Sequence, residues 1–286
     1  MTNALMAARD AFLARFPETR IDLDGRDWGL IDTGGAGAVF LFLPGTLGRS
    51  DVFFQQIAAL AGDMRVLSVS YPASGGVVDW AASLVTLLDR LGIDRVAVLG
   101  SSLGGYLAQY FAATYPGRVR HLFAANTLHE IVEAAHRPPY SLDLWTAPIA
   151  ELRNGFHMGM GAWVQAHPDH AEMVEFLLAE ADGRILESEL RARLDGIKTG
   201  PALPPLSNAA DTATVIESTD DPLIPPPMRA AVRARNAPAP AFRFAWGGHF
   251  PYLIRPDLYT GLLRARLGLA PLPADWRPAN DGVMQA

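Results

Sequence analysis

Cysteine is absent from the 286 residues. Disulfides, thiolate nucleophiles and cysteine-ligated metals are therefore excluded, and a reducing, cytoplasmic compartment is expected. Lysine is almost absent. Lys198 is the single example, arginine carries the remaining positive charge, and the formal net charge is −6. No basic cluster forms, so no nucleic-acid partner is expected. Long apolar runs are also lacking. The run 38–43 is a strand's worth and far short of a bilayer span, so no membrane partner is expected. Residues 1–16 place Asp10 and two arginines inside an amphipathic pattern, without the apolar centre of a signal peptide. Internal repeats and low-complexity tracts are missing too.

What remains is a composition that can build a large core, with half the residues hydrophobic and 19% charged. Strand and helix patterns alternate. After a helix at about 3–15, short strands at 20–23 and 28–32 are followed by strands at 38–43, 65–70, 95–99 and 119–125, with helices at 51–60, 79–91 and 106–115 between them. Apolar, β-branched strands alternating with helices predict an α/β fold whose mostly parallel sheet is covered on both faces. The alternation stops at about residue 127. Helical patterns at 144–154, 160–166, 171–182 and 187–194 follow, and Pro201 to Pro205 close the segment. Alternation resumes with 213–218, 227–236, 241–246 and 256–267. The expected organisation is therefore a core of 1–126 plus 207–269, an inserted helical lid at 127–206, and a tail at 270–286 lying loosely on the surface.

The most informative residues are Val96 to Gly105, where an apolar run ends in Gly100-Ser101-Ser102-Leu103-Gly104 and a helical stretch begins. A Gly-x-Ser-x-Gly turn between strand and helix is the setting of a nucleophile elbow. Gly100 and Gly104 leave room for a sharp turn that presents Ser102 at the end of the strand. A serine hydroxyl needs a base, and the base needs an acid to orient it. The sequence Ser218-Thr219-Asp220-Asp221-Pro222-Leu223-Ile224-Pro225 follows a strand and offers that acid. One of the two aspartates is expected to serve, and alignment on Pro225 selects Asp221. The base is expected at His249, in Gly247-Gly248-His249-Phe250-Pro251 after the last core strand; none of the other six histidines lies in such a loop.

The loop Leu43-Pro44-Gly45-Thr46-Leu47-Gly48 follows an early strand, where a backbone donor for an oxyanion is expected. Leu103 and Thr46 are the expected amide donors, with Leu47 the alternative to Thr46. Leu47, Trp145, Phe156, Trp163 and Phe250 are candidate pocket residues. His167 and His170, with Glu172 nearby, have metal-like spacing but read more simply as a helix face, and Arg49 reads as a solvated arginine. No metal or organic cofactor is implied. The expected partner is a small-molecule substrate, and the oligomeric state stays open, a homodimer included.

The stretches 51–57, 101–109 and 247–253 make the chain resemble the α/β-hydrolase fold superfamily, and within it the maspardin family. The resemblance spans roughly residues 38 to 267. It implies a sheet flanked by helices with a lid, and a Ser-Asp-His order of catalytic groups. Animal maspardins carry asparagine where this chain has His249, which favours a non-catalytic binding or adaptor role for them. Here Ser102, Asp221 and His249 are all present, so the expected activity is serine-dependent hydrolysis of a small to medium carboxylic ester or lactone. The alternatives are a maspardin-like non-catalytic binding or adaptor protein, and other acyl transfers or carbon–carbon bond hydrolysis, which use the same groups.

Overall fold

Val39 to Leu43 are buried throughout, and their side chains alternate between the two faces of one sheet. Phe40 and Phe42 pack on one side with Phe53, Phe123 and Tyr259, whereas Leu41 and Leu43 pack on the other with Trp80, Leu84 and Phe111. This period-two division of an all-apolar strand is what burial on both faces requires. The computed structural model describes residues 3–131, 136, 138–207 and 211–286. The strands are β1 (Thr19–Leu23), β2 (Arg26–Asp32), β3 (Val39–Leu43), β4 (Arg65–Ser70), β5 (Val96–Ser101), β6 (Val119–Ala125), β7 (Ala213–Ser218), β8 (Ala241–Phe244), β9 (Arg277–Pro278) and β10 (Met284–Gln285). They form one sheet in the order β1-β2-β4-β3-β5-β6-β7-β8-β10-β9. The run from β4 to β10 is parallel; β1, β2 and β9 pair antiparallel at the ends.

The helices are α1 (Ala4–Arg15), α2 (Phe54–Leu60), α3 (Val77–Arg90), α4 (Leu103–Thr114), α5 (Ile149–Ala166), α6 (Ala171–Ala179), α7 (Glu187–Lys198), α8 (Pro226–Asn236), α9 (Pro251–Ile254) and α10 (Pro256–Arg266). Between β6 and β7 the described residues contain helices and no strand. Two separate helices were expected at 144–154 and 160–166; a single helix, α5, runs through Gly155, Gly159 and Gly161 instead. Three glycines lower helix propensity but do not break a helix that has a packing partner. A π-helical segment, Glu180–Arg184, joins α6 to α7. These helices have their own small core of Leu144, Leu152, Leu190 and Leu194. The end of α7 is tied back by Lys198, whose Nζ donates to the Leu142 carbonyl at 2.8 Å.

The tail differs from the loose packing expected of it. Met284 and Gln285 extend the sheet in parallel beside β8, and Trp276 and Val283 are buried. Trp276 stands edge-on to both Phe242 and Phe244. Two-residue strands are too short to show a periodicity, so their pairing depends on the neighbouring edge that β8 leaves open.

Candidate active site

Ser102 sits between β5 and α4 with φ 54° and ψ −120°, a backbone conformation rare outside glycine. The surroundings enforce it. A Cβ on Gly100 would lie 1.9 Å from the Gly104 carbonyl oxygen, and one on Gly104 would lie 2.0 Å from that of Leu43. Glycine at both positions is thus what lets strand and helix meet at so sharp an angle. The Ser102 amide donates to the carbonyls of Ala125 and Asn126, and the Ser102 carbonyl accepts from Tyr106 N and Thr127 Oγ1. Its half-buried side chain stands at the N-terminus of α4, where the helix dipole favours negative charge.

Asp221 and His249 are brought together by the loops after β7 and β8. Both are buried, and His249 Nδ1 lies 3.0 and 2.9 Å from the two carboxylate oxygens. An ionised carboxylate only accepts, so the proton of this bond resides on Nδ1 and Nε2 is left as the basic nitrogen. Burial pushes the Asp221 carboxyl up. The charge that His249 carries when protonated and its hydrogen bond, together with bonds from Asn126 Nδ2 and the Leu223 amide, outweigh it and hold the group below its usual range. Asp220, the other candidate, accepts the Gly247 and Gly248 amides at 3.1 and 2.9 Å and so shapes the histidine loop. Gly247 and Gly248 both have positive φ, which explains why two glycines precede His249.

Asn126 connects the serine turn to this pair. Its carbonyl accepts from Ser102 N, while its Nδ2 donates to Asp221 Oδ2 at 2.9 Å and reaches Ser218 Oγ at 3.2 Å. Among the described residues no hydrogen bond joins Ser102 Oγ directly to His249.

The loop after β3 has an uneven hydrogen-bond pattern. Tyr71 Oη donates to the Pro44 carbonyl at 2.9 Å, Gly48 N to that of Gly45 at 3.0 Å, and Arg193 Nη1 to those of Thr46 and Gly48 at 3.1 and 2.7 Å. Every one of these carbonyls is engaged. The Thr46 and Leu47 amides, by contrast, have no acceptor among the described residues, although both residues are buried. Buried backbone donors without partners are rare, and two in succession mark a place where a ligand atom can be received. The loop closely adjoins the serine: a Cβ on Gly45 would lie 3.2 Å from that of Ser102.

A cavity of about 200 Å³ opens between α5 and the histidine loop. Phe156, Trp163, Phe250 and His249 line it, with Tyr140 and Met160. Ser102 is not part of this wall. Two expected pocket residues lie elsewhere. Leu47 packs into the core of the inserted helices, and Trp145 is 53% exposed, away from the cavity. Trp145 lacks burying neighbours because the chain around it is turn, which an aromatic residue in a helical pattern does not reveal. Trp163 lies on Gly248, where a Cβ would come within 2.6 Å of its ring, and donates Nε1–H to His170 Nδ1 at 3.2 Å. His167 and His170 stack there, and no metal-holding cluster occurs among the described residues. Arg49 is not simply solvated: it pairs with Glu18 and donates to the Arg184 carbonyl.

Residues 38–256 match the sequence model of the alpha/beta hydrolase fold. The chain belongs to the α/β-hydrolase fold family. It is 29% identical to maspardin from Danio rerio over 252 residues, which cover 85% of this chain and 80% of that one. Among solved structures, a hydrolase from Pseudomonas aeruginosa superposes with a TM-score of 0.74 at 20% identity, covering 88% of this chain and 98% of that one. The enol-lactonase from Burkholderia xenovorans LB400 does so at 0.69 and 18% identity, covering 87% and 100%. No helix among the described residues of this α/β-hydrolase is long and apolar enough to cross a membrane.

Two residues of the α/β-hydrolase site escaped the sequence reading. Asn126 sits at a strand end with φ 40°, and asparagine after an apolar strand is the only signal it leaves. Arg193 looks like one more charge on a charged helix, yet it is fully buried under the loop after β3. Its acceptors lie 145 and 147 residues away, so no local pattern announces them.

Proposed function

We propose that this α/β-hydrolase is a serine esterase or lactonase acting on small to medium, uncharged substrates. The buried Asp221–His249 pair, with Nδ1 facing both carboxylate oxygens, carries the reading. In it, His249 Nε2 takes the Ser102 proton as Oγ attacks the substrate carbonyl. The tetrahedral oxyanion is received by the amides of Leu103 and of Thr46 or Leu47. Collapse expels the alcohol, which takes the proton from His249, and leaves an acyl-enzyme. Water then gives its proton to His249, attacks the acyl carbonyl and releases the acid, while Ser102 recovers its proton. Asp221 orients the imidazole and stabilises its charged form. The missing direct Ser102–His249 bond is compatible with this scheme, because such bonds often tighten only when substrate is bound.

The cavity beside His249 supports this substrate class. No arginine, lysine, aspartate or glutamate lines it among the described residues, and Phe156, Trp163 and Phe250 offer apolar surface. A charged acyl group would lose its hydration there without a partner, which costs several kcal/mol or roughly a thousandfold in binding. Similarity to an enol-lactonase fold is consistent with a lactone or ester carbonyl as the reacting group.

Fluorophosphonate labelling together with p-nitrophenyl acetate and butyrate turnover tests the reading. One label per chain on Ser102 and burst release of nitrophenol are expected, both lost in Ser102→Ala. Absence of labelling and of turnover on ester, lactone, thioester and amide panels would instead favour a non-catalytic binding role like that expected of maspardins lacking the histidine.

A further inference from the structure

Arg193 is the most deeply buried charged residue among the described residues outside the Ser102–His249–Asp221 group. Its side chain is fully covered, and its Nε and Nη2 have no hydrogen-bond acceptor among the described residues. Glu189, one turn earlier on α7, approaches Nη2 only to 3.9 Å. Burial lowers the guanidinium pKa to about 10, which leaves it charged at neutral pH. Confining so poorly paired a cation is costly. One nitrogen is nevertheless well used, since Nη1 donates to two carbonyls of the loop after β3. The guanidinium also lies over the Tyr71 ring at 5.5 Å, and Tyr71 holds the Pro44 carbonyl of the same loop.

A trans peptide points its C=O and N–H in opposite directions. The Gly48 bond to the Gly45 carbonyl therefore fixes the Thr46 amide, and the Arg193 bond to the Thr46 carbonyl fixes the Leu47 amide. Neither amide has an acceptor among the described residues. We infer that Arg193, from the inserted helix α7, is a positioning residue that holds the Leu47 N–H aimed away from α7 to receive the oxyanion. This rests on the serine-hydrolase reading and deepens it: Leu47 joins Thr46 as a donor, and the inserted helices help to build the site rather than only covering it. Donors fixed before the reaction need no reorganisation as charge develops, which is the source of their catalytic value.

The test compares Arg193→Met and Arg193→Lys with Arg191→Met. Arg191 is a buried arginine of the same helix, but it serves the Leu144 and Ala147 carbonyls instead. Steady-state kinetics on p-nitrophenyl butyrate, affinity for a butyl boronic acid, and amide hydrogen exchange at Thr46 and Leu47 are measured for each. Arg193→Met is expected to lower kcat about 100-fold, with KM changed less than about threefold, and to weaken boronate binding in parallel. Arg193→Lys, which can reach one carbonyl, is expected to lose about tenfold. Leu47 exchange should accelerate in both, more than exchange at Thr46. Arg191→Met is expected to cost similar melting temperature but to keep kcat within about threefold. A kcat loss shared equally by Arg191→Met, or unchanged kcat and Leu47 exchange in the Arg193 variants, would overturn the inference. If Arg193→Met does not fold, Arg193→Lys decides by the same readings. A wild-type protein without turnover would sink the hydrolase reading alone, and Leu47 exchange would still judge Arg193.

Discussion

Adjacent aspartates do different work in this site. Asp221 binds the imidazole, and Asp220, one residue earlier, turns the backbone that carries it. The difference comes from the direction in which the chain leaves β7, and position relative to Pro225 was enough to read it from the sequence. Asn126 left no comparable trace, because its role depends on three elements meeting in space. Its Nδ2 stabilises the negative form of Asp221. Asn126→Asp keeps the shape and tolerance of positive φ but replaces that donor with a second carboxylate. Added negative charge stabilises the protonated form of the Asp221–His249 unit. The acidic limb of the kcat/KM profile is therefore expected to move to higher pH. Rates measured between pH 4.5 and 8.5 would show it, and an unmoved limb would mean that Asn126 is only a spacer.

Among the secondary-structure elements, the central strands were the most legible. The runs 65–70, 119–125 and 213–218 are rich in apolar and β-branched residues and begin and end in the structure where the sequence places them. Boundaries blurred where tertiary packing outweighs propensity, as in α5 with its three glycines, or where an element is too short to have a period, as in β9 and β10. The β5–α4 junction lies at the opposite extreme, since local sterics leave it one solution. Gly100→Ala should force the Gly104 backbone apart and lose about 3 kcal/mol or more of stability. Gly117→Ala has open space around its Cβ and is expected to stay within about 0.5 kcal/mol. Urea unfolding of the two variants provides the comparison; equal losses would mean that the junction relaxes freely.

For the molecule as a whole, buried titratable groups make acid the principal threat. His121 is buried beside Thr214, and burial, followed by repulsion from Arg266, lowers its pKa to about 4. In the unfolded chain it titrates near its ordinary value, so between about pH 6.5 and 4 the unfolded state binds more protons and stability falls as pH falls. The full effect is roughly 3 kcal/mol. Below the folded pKa this group removes nothing further. Asp221, Glu18 and Asp32 have lowered pKa values, so their contribution is present above the unfolded pKa and is lost as pH falls through the folded value. Glu180 is raised by burial and by Asp51, and it opposes that trend. His121→Gln should keep more of its neutral-pH melting temperature at pH 4.5 than the wild type does. Calorimetry at pH 7 and 4.5 measures this, and parallel losses in both proteins would exclude His121. The composition showed that a core was possible, but not which histidine it would enclose, because a histidine beside Arg120 near the start of β6 looks like one more polar strand residue.

A chain with a single lysine carries a single ε-amine, and that amine latches the end of α7 to the Leu142 carbonyl. Acylating reagents need the free lone pair of the amine, which Lys198 offers only when unlatched and deprotonated. The rate at which this one side chain is tagged therefore acts as a clock for how often the inserted helices let go, and it can be read by mass without adding a probe to the protein.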